Sequence, residues 1–115
     1  MRVLVLAKED HQAQAAKPPT PEAILEFQKF NEELIKAGVV LGDGRLHPSS
    51  QGKRLRFDGK KRAVIDGPFT ETKELVAGYW LWQVRSMDEA LEWLKRAPFD
   101  AGTYEIRQIF EMESM

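Results

Sequence analysis

The side chains best equipped for chemistry gather in one stretch, Asp66-Gly67-Pro68-Phe69-Thr70-Glu71-Thr72-Lys73-Glu74, which sets four ionisable groups around a tight turn. His47 precedes it, in Leu46-His47-Pro48-Ser49-Ser50, where the following proline keeps its backbone extended. A neutral imidazole beside a carboxylate can act as a general base near neutral pH, so His47 with Asp66 is the candidate catalytic pair. The plainer reading of His47 is a surface histidine on a loop. Asp66 has a plainer reading too, because an aspartate at a turn start commonly accepts hydrogen bonds from amides about two residues on, here toward Pro68-Phe69. Glu71, Lys73 and Glu74 can orient a polar ligand, or the two acids can simply pair with Arg54, Arg56 or Arg62. Tyr79 can wall a cleft, although an aromatic residue on a central strand more often serves a core or an interface. Asn31 can donate to and accept from a ligand, or satisfy a backbone group. His11 carries little weight. Gly67 is expected in a backbone conformation that a Cβ would strain, with Pro68 holding it away from the helical region.

These residues are positioned by elements that the pattern makes legible. Residues 2–8 are apolar on both alternating faces, as a strand covered on two sides reads, and residues 9–19 form an aperiodic loop. Thr20 is a helix N-cap with Pro21 in the first turn, and the helix runs to about Ala37 with Gly38 as its stop. Ala23, Ile24, Phe27, Phe30, Leu34 and Ile35 form its apolar stripe, with Asn31 inside it. Val39-Val40-Leu41 opens a second strand that Gly42-Asp43-Gly44 interrupts, the two glycines suggesting a bulge or a close backbone approach. Residues 53–58 and 61–66 alternate around Asp58-Gly59 as a hairpin rich in Lys and Arg. Tyr79 to Val84 is a strand with two apolar faces. Ser86 and Glu89 make a capping box for a second helix ending at Lys95-Arg96, and a last strand occupies about 103–112.

Composition sets limits on function. The chain has 115 residues, 43% hydrophobic and 30% charged, as expected of one globular domain spanning residues 1–115. A net charge of −1 with dispersed basic residues argues against direct nucleic-acid binding. The absence of cysteine removes thiolate chemistry, and two histidines are too few for a histidine-rich metal centre, so no metal or cofactor is expected. No apolar run approaches the ~18 residues that span a bilayer, and the pattern fits a cytoplasmic location.

The stretch from Asp66 to Glu74, followed by Leu75-Val76-Ala77-Gly78-Tyr79-Trp80-Leu81, resembles the signature of the DGPF-domain branch of the YCII-related proteins, and the likeness extends from Arg2 to about Ile109. The element order is that of an α+β, ferredoxin-like split βαβ with an inserted β-hairpin. Two helices cover one face of such a sheet, and the other face is too apolar for water. A second copy of the chain is the most economical cover. The resemblance implies the same arrangement, a homodimer pairing as a dimeric α/β barrel with a cleft in each protomer. It further implies an unknown small molecule as ligand and a role as accessory or sensory protein beside a sigma factor. One alternative is a lyase or isomerase performing proton abstraction or elimination on a small organic acid or phenolic compound, and another is an interaction module with no ligand. Enzymes and proposed enzymes of the wider family are similar in placing a histidine on the first helix with an aspartate partner. Residues 21–37 contain no histidine, so catalysis here requires a different set, such as His47 with Asp66 or Asp43.

Overall fold

The computed structural model describes residues 1–8, 20–69, 75–99 and 101–111. Strand β1 (Arg2–Lys8) is followed by helix α1 (Pro21–Lys36), strand β2 (Val40–Arg45), a 3-10 turn (Ser49–Gln51) and the ribbon strands β3 (Lys53–Asp58) and β4 (Lys61–Asp66). Strand β5 (Val76–Gln83), helix α2 (Met87–Lys95) and strand β6 (Tyr104–Gln108) complete it.

Four strands form an antiparallel sheet in the order β2-β5-β1-β6, the strand order of a ferredoxin-like sheet, and β3-β4 make a separate two-stranded ribbon. The helix boundaries follow from local chemistry. Thr20 Oγ1 accepts from the Ala23 amide at 3.1 Å. Past the other end, Gly38 at φ +73° lets its own amide reach the Ile35 carbonyl and the Val39 amide reach Leu34, both at 3.0 Å. In α2 the Glu89 amide donates to Ser86 Oγ at 3.1 Å, whereas the Glu89 carboxylate receives the Arg85 amide at 2.7 Å and not that of Ser86 as a regular capping box would have it. Those bonds to Arg85, its amide first and its guanidinium with it, hold the Glu89 carboxyl below its ordinary value against an opposing effect of burial.

Both helices pack on one face of the sheet. Val3 and Val5 of β1 and Trp80 and Trp82 of β5 point there, joined by Phe30, Leu34, Val39, Val84 and Ala90. Phe27 stacks on Trp80 with ring centroids 5.8 Å apart, and Phe30 meets the same indole edge-on at 6.3 Å. Complete burial of Val3, Val5, Leu34 and Trp82 makes this the main source of stability, each aliphatic side chain being worth about 1.5–3 kcal/mol. The stripe anticipated on α1 is therefore too wide. Phe27, Phe30 and Leu34 face the sheet, while Ile24 and Ile35 flank that line and stand 46% and 57% exposed.

Strand alternation puts Leu4 and Leu6 of β1 with Tyr79 and Leu81 of β5 on the opposite face, over which no described helix lies. Gly42-Asp43-Gly44 does not end β2. The strand runs through it with a bulge between Val40 and Gly42, and Tyr79 lies over Gly44 so closely that a Cβ would stand 2.7 Å from Tyr79 Cε1. The final strand ends at Gln108, before the expected 112. The molecule measures 47 × 46 × 18 Å. Its radius of gyration, 16.6 Å, exceeds the ~13 Å of a compact chain of this length. No helix among the described residues is long and apolar enough to cross a membrane.

Candidate functional site

The two segments that carry His47 and Asp66 are fastened to each other at the root of the ribbon. After β2 the Leu46 amide donates to the Ala77 carbonyl at 2.8 Å, which places His47 immediately beyond the edge of the sheet. Pro48 opens the 3-10 turn, and Gly52 closes it with a 2.9 Å bond from its amide to the Ser49 carbonyl. From the other side, the Gly67 amide donates to the Gly52 carbonyl at 2.9 Å and the Phe69 amide to Ser49 Oγ at 3.4 Å. The Arg54 guanidinium then covers the Phe69 ring, 3.8 Å from its centroid.

This junction gives Gly67 a different reason to be glycine from the one anticipated. Its φ is not in the left-handed region, which among the described glycines is occupied by Gly38, Gly59 and Gly102. What excludes a side chain is backbone contact: a Cβ would collide with the Ser49 carbonyl oxygen and stand 2.8 Å from the Ser49 carbonyl carbon. The requirement is for close approach of two backbones, which the Gly-Pro sequence alone does not reveal.

Asp66 also departs from its expected turn role. Pro68 has no N–H to give it, and the Phe69 amide is taken by Ser49. The ribbon register sets Lys53 directly across from Asp66, and Lys53 Nζ meets Asp66 Oδ1 at 2.7 Å. Both side chains are largely exposed, so the pair contributes no more than about 1 kcal/mol. Among the described residues no hydrogen bond or ion pair joins His47 to Asp66; their loops adjoin, and their side chains are not paired. His47 is exposed.

Tyr79 belongs to the same corner of the molecule, opposite Gly44 on the helix-free face and 39% exposed. Asn31 does not. It lies on α1, across the sheet, and its Oδ1 is buried without a hydrogen-bond partner among the described residues, as is Trp82 Nε1. Glu71, Lys73, Glu74 and His11 lie outside the described residues. Sequence reasoning missed Ser49, Gly52 and Lys53. The hairpin register around Gly59-Lys60 already carried the signal for Lys53, whereas nothing local announced the bonds from Gly67 and Phe69.

Two shallow hollows lie elsewhere. One of about 240 Å³ is bounded by Leu94, Lys95, Phe99 and Tyr104, where burial pushes the Tyr104 hydroxyl above its ordinary pKa. The other, about 280 Å³, is bounded by Glu26, Lys29, Glu33 and Arg96. Among the described residues no cluster of His, Asp and Glu is placed to hold a metal ion.

The sheet order, the two helices on one face and the inserted ribbon define a small α+β domain with the strand order of a ferredoxin-like sheet. The pattern of the YCII-related domain matches residues 1–113. A protein of Rhizobium meliloti (strain 1021), described as uncharacterised, is 31% identical over 114 residues, covering 95% of this chain and 92% of its own. The chain belongs to the YCII-related family.

Proposed function

We propose that this chain is a DGPF-type member of its family that works in the cytoplasm as a homodimer, its helix-free sheet faces packed together as a dimeric α/β barrel. It binds a small polar or aromatic molecule where the His47 loop meets the Asp66–Phe69 loop. The observation that supports the ligand site is the junction itself, in which Gly67 and Phe69 donate to Gly52 and Ser49 and so bring the loop that follows His47 against the loop that carries Asp66 and the arginine-capped Phe69 ring. Rigid placement of a few polar groups beside an aromatic surface is what small-molecule recognition requires. Leu4, Leu6, Tyr79 and Leu81 on the helix-free face support the dimer, since apolar sheet faces of this kind are seldom left to water.

Binding is favoured over proton abstraction because the Asp66 carboxylate is engaged by Lys53 and not by His47. A lyase or isomerase at this corner would need another partner for the imidazole. An accessory role beside a sigma factor follows from the family resemblance, with the bound molecule as the signal.

Thermal-shift screening with a panel of aliphatic and aromatic acids and phenols tests the ligand site. A true ligand at a hundred times its Kd adds about 2.7 kcal/mol of stability. Phe69→Ala is expected to weaken that ligand about tenfold and His47→Gln to leave most of the affinity. Consumption of the ligand by wild type, reduced about 10²-fold or more in His47→Gln, would replace the binder with the enzyme. Stabilisation that persists unchanged in Phe69→Ala would move the site away from this corner.

A further inference from the structure

Every strand residue of the β3-β4 ribbon is exposed, which sets it apart from the rest of the described chain. Its register gathers three of its large apolar side chains on one side. Leu55, Phe57 and Val64 lie together on one side, flanked by the Lys53–Asp66 pair and by Arg62 over the Phe57 ring, and Arg54, Arg56 and Lys61 share the other with Asp58, Ala63 and Ile65. Leu55 is 50% exposed, and Phe57 and Val64 are each 65% exposed, a large apolar fraction for a structure with no layer behind it. A two-stranded ribbon is at best marginally stable in water by itself, and this one is anchored at its root only.

We propose that the ribbon is an arm that lays its Leu55, Phe57 and Val64 side on a second copy of this chain, a reading that rests on the sheet-to-sheet homodimer and extends it. Charge is the first argument. Residues 53–66 hold six Lys and Arg against two Asp, a net +4, so the remaining 101 residues of a chain of net −1 carry −5. The arm is thus opposite in sign to the rest of the chain, and the body of another copy attracts it.

Area is the second argument. Four strands spaced ~4.8 Å and ~20 Å long present roughly 400 Å² to a facing sheet, about half of the ~800 Å² per partner of a stable interface. One side of the ribbon offers roughly 200 Å², by the same spacings, and a two-fold axis counts it twice, because each copy both gives an arm and receives one. The arms bring the interface to about 800 Å² per protomer, the standard size. A polyanion such as nucleic acid would engage the Arg54 and Arg56 side and leave Phe57 and Val64 in water, so it satisfies only half of the pattern.

The chain has no cysteine, so Lys60→Cys at the ribbon tip accepts a single nitroxide label. Mixing labelled protein with isotopically enriched unlabelled protein should broaden amide signals on the body of the enriched copy. The double variant Phe57→Ser/Val64→Ser should raise the dimer Kd at least tenfold in sedimentation equilibrium. A dimer of unchanged Kd in that variant, with no broadening on the body of the enriched copy, overturns the arm and leaves the sheet dimer standing. A wild-type chain that sediments as a monomer overturns both. Duplex DNA that binds wild type and suppresses the broadening between copies would reassign the arm to nucleic acid.

Discussion

Replacing Gly67 by alanine tests the central junction directly, because the added atom must go where the Ser49 carbonyl oxygen already is. The chain has no inexpensive escape, since both obstacles are backbone. Relief requires the 3-10 turn and the signature loop to part, which sacrifices the 2.9 Å bond from the Gly67 amide to Gly52 and the 3.4 Å bond from Phe69 to Ser49. Each such bond contributes about 0.5–1.5 kcal/mol, the longer one at the low end, and forcing an atom into packed structure costs about 1–3 kcal/mol. The expected loss is therefore about 2–5 kcal/mol, or on the order of 8–20 °C in melting temperature for a domain of this size. Gly42→Ala is the internal control, for a Cβ there meets nothing within 4 Å. Gly44→Ala falls between them, since its Cβ meets the end of the Tyr79 ring, which is free to turn aside. Urea titration followed by tryptophan emission gives the ranking, provided the m-value is unchanged. A Gly67→Ala midpoint indistinguishable from that of Gly42→Ala would refute the claim that two backbones are in contact there.

Other expectations concern separate parts of the molecule. Leu81→Glu places a charge in the middle of the helix-free face and should give folded monomers in sedimentation equilibrium; a dimer of wild-type strength would refute sheet-to-sheet packing. Asn31→Leu removes a buried oxygen that has no described partner and should stabilise the free protein by roughly 1 kcal/mol, whereas an equal loss on denaturation would show that the oxygen is bonded within the fold. Ser86→Ala should cost about 1 kcal/mol by removing the α2 cap. Because the folded state lowers the Glu89 pKa, its share of stability is present above the ordinary value of 4.5 and is lost as pH falls through the lowered one. Glu89→Gln should flatten that acid limb of the pH–stability curve, and an unchanged limb would show that the Arg85 bonds do not form.

Much of the architecture was readable because local chemistry and global placement agree. Thr20, Pro21 and Gly38 bound the first helix as capping physics requires, and the tight turn after Asp58, its two loop residues Gly59-Lys60, sets the ribbon register. The sheet face that the helices cover was not readable, since both faces of β1 and β5 are apolar and alternation alone cannot rank Trp80 and Trp82 against Tyr79 and Leu81. The extent of β2 was hidden for a related reason. Its glycines look like breakers in isolation and become tolerable only when the Tyr79 ring lies over Gly44. At the candidate site the residues were visible and their partners were not. Asp66 has its carboxylate on Lys53 because of a cross-strand register, and the Gly67 contact with Ser49 joins segments eighteen positions apart, beyond the reach of any turn rule.

The aromatic cluster over the sheet also makes the core its own optical reporter. The Trp80 and Trp82 rings sit 5.4 Å apart and tilted by 34°, close enough for their electronic transitions to couple and to produce a paired signal in far-ultraviolet circular dichroism. The ribbon from Lys53 to Asp66 contains neither Trp nor Tyr. A change that acts only on the ribbon should therefore leave the coupled signal untouched, while loosening of the helix layer by a fraction of an ångström should alter it, so one spectrum separates damage to the body from events at its periphery.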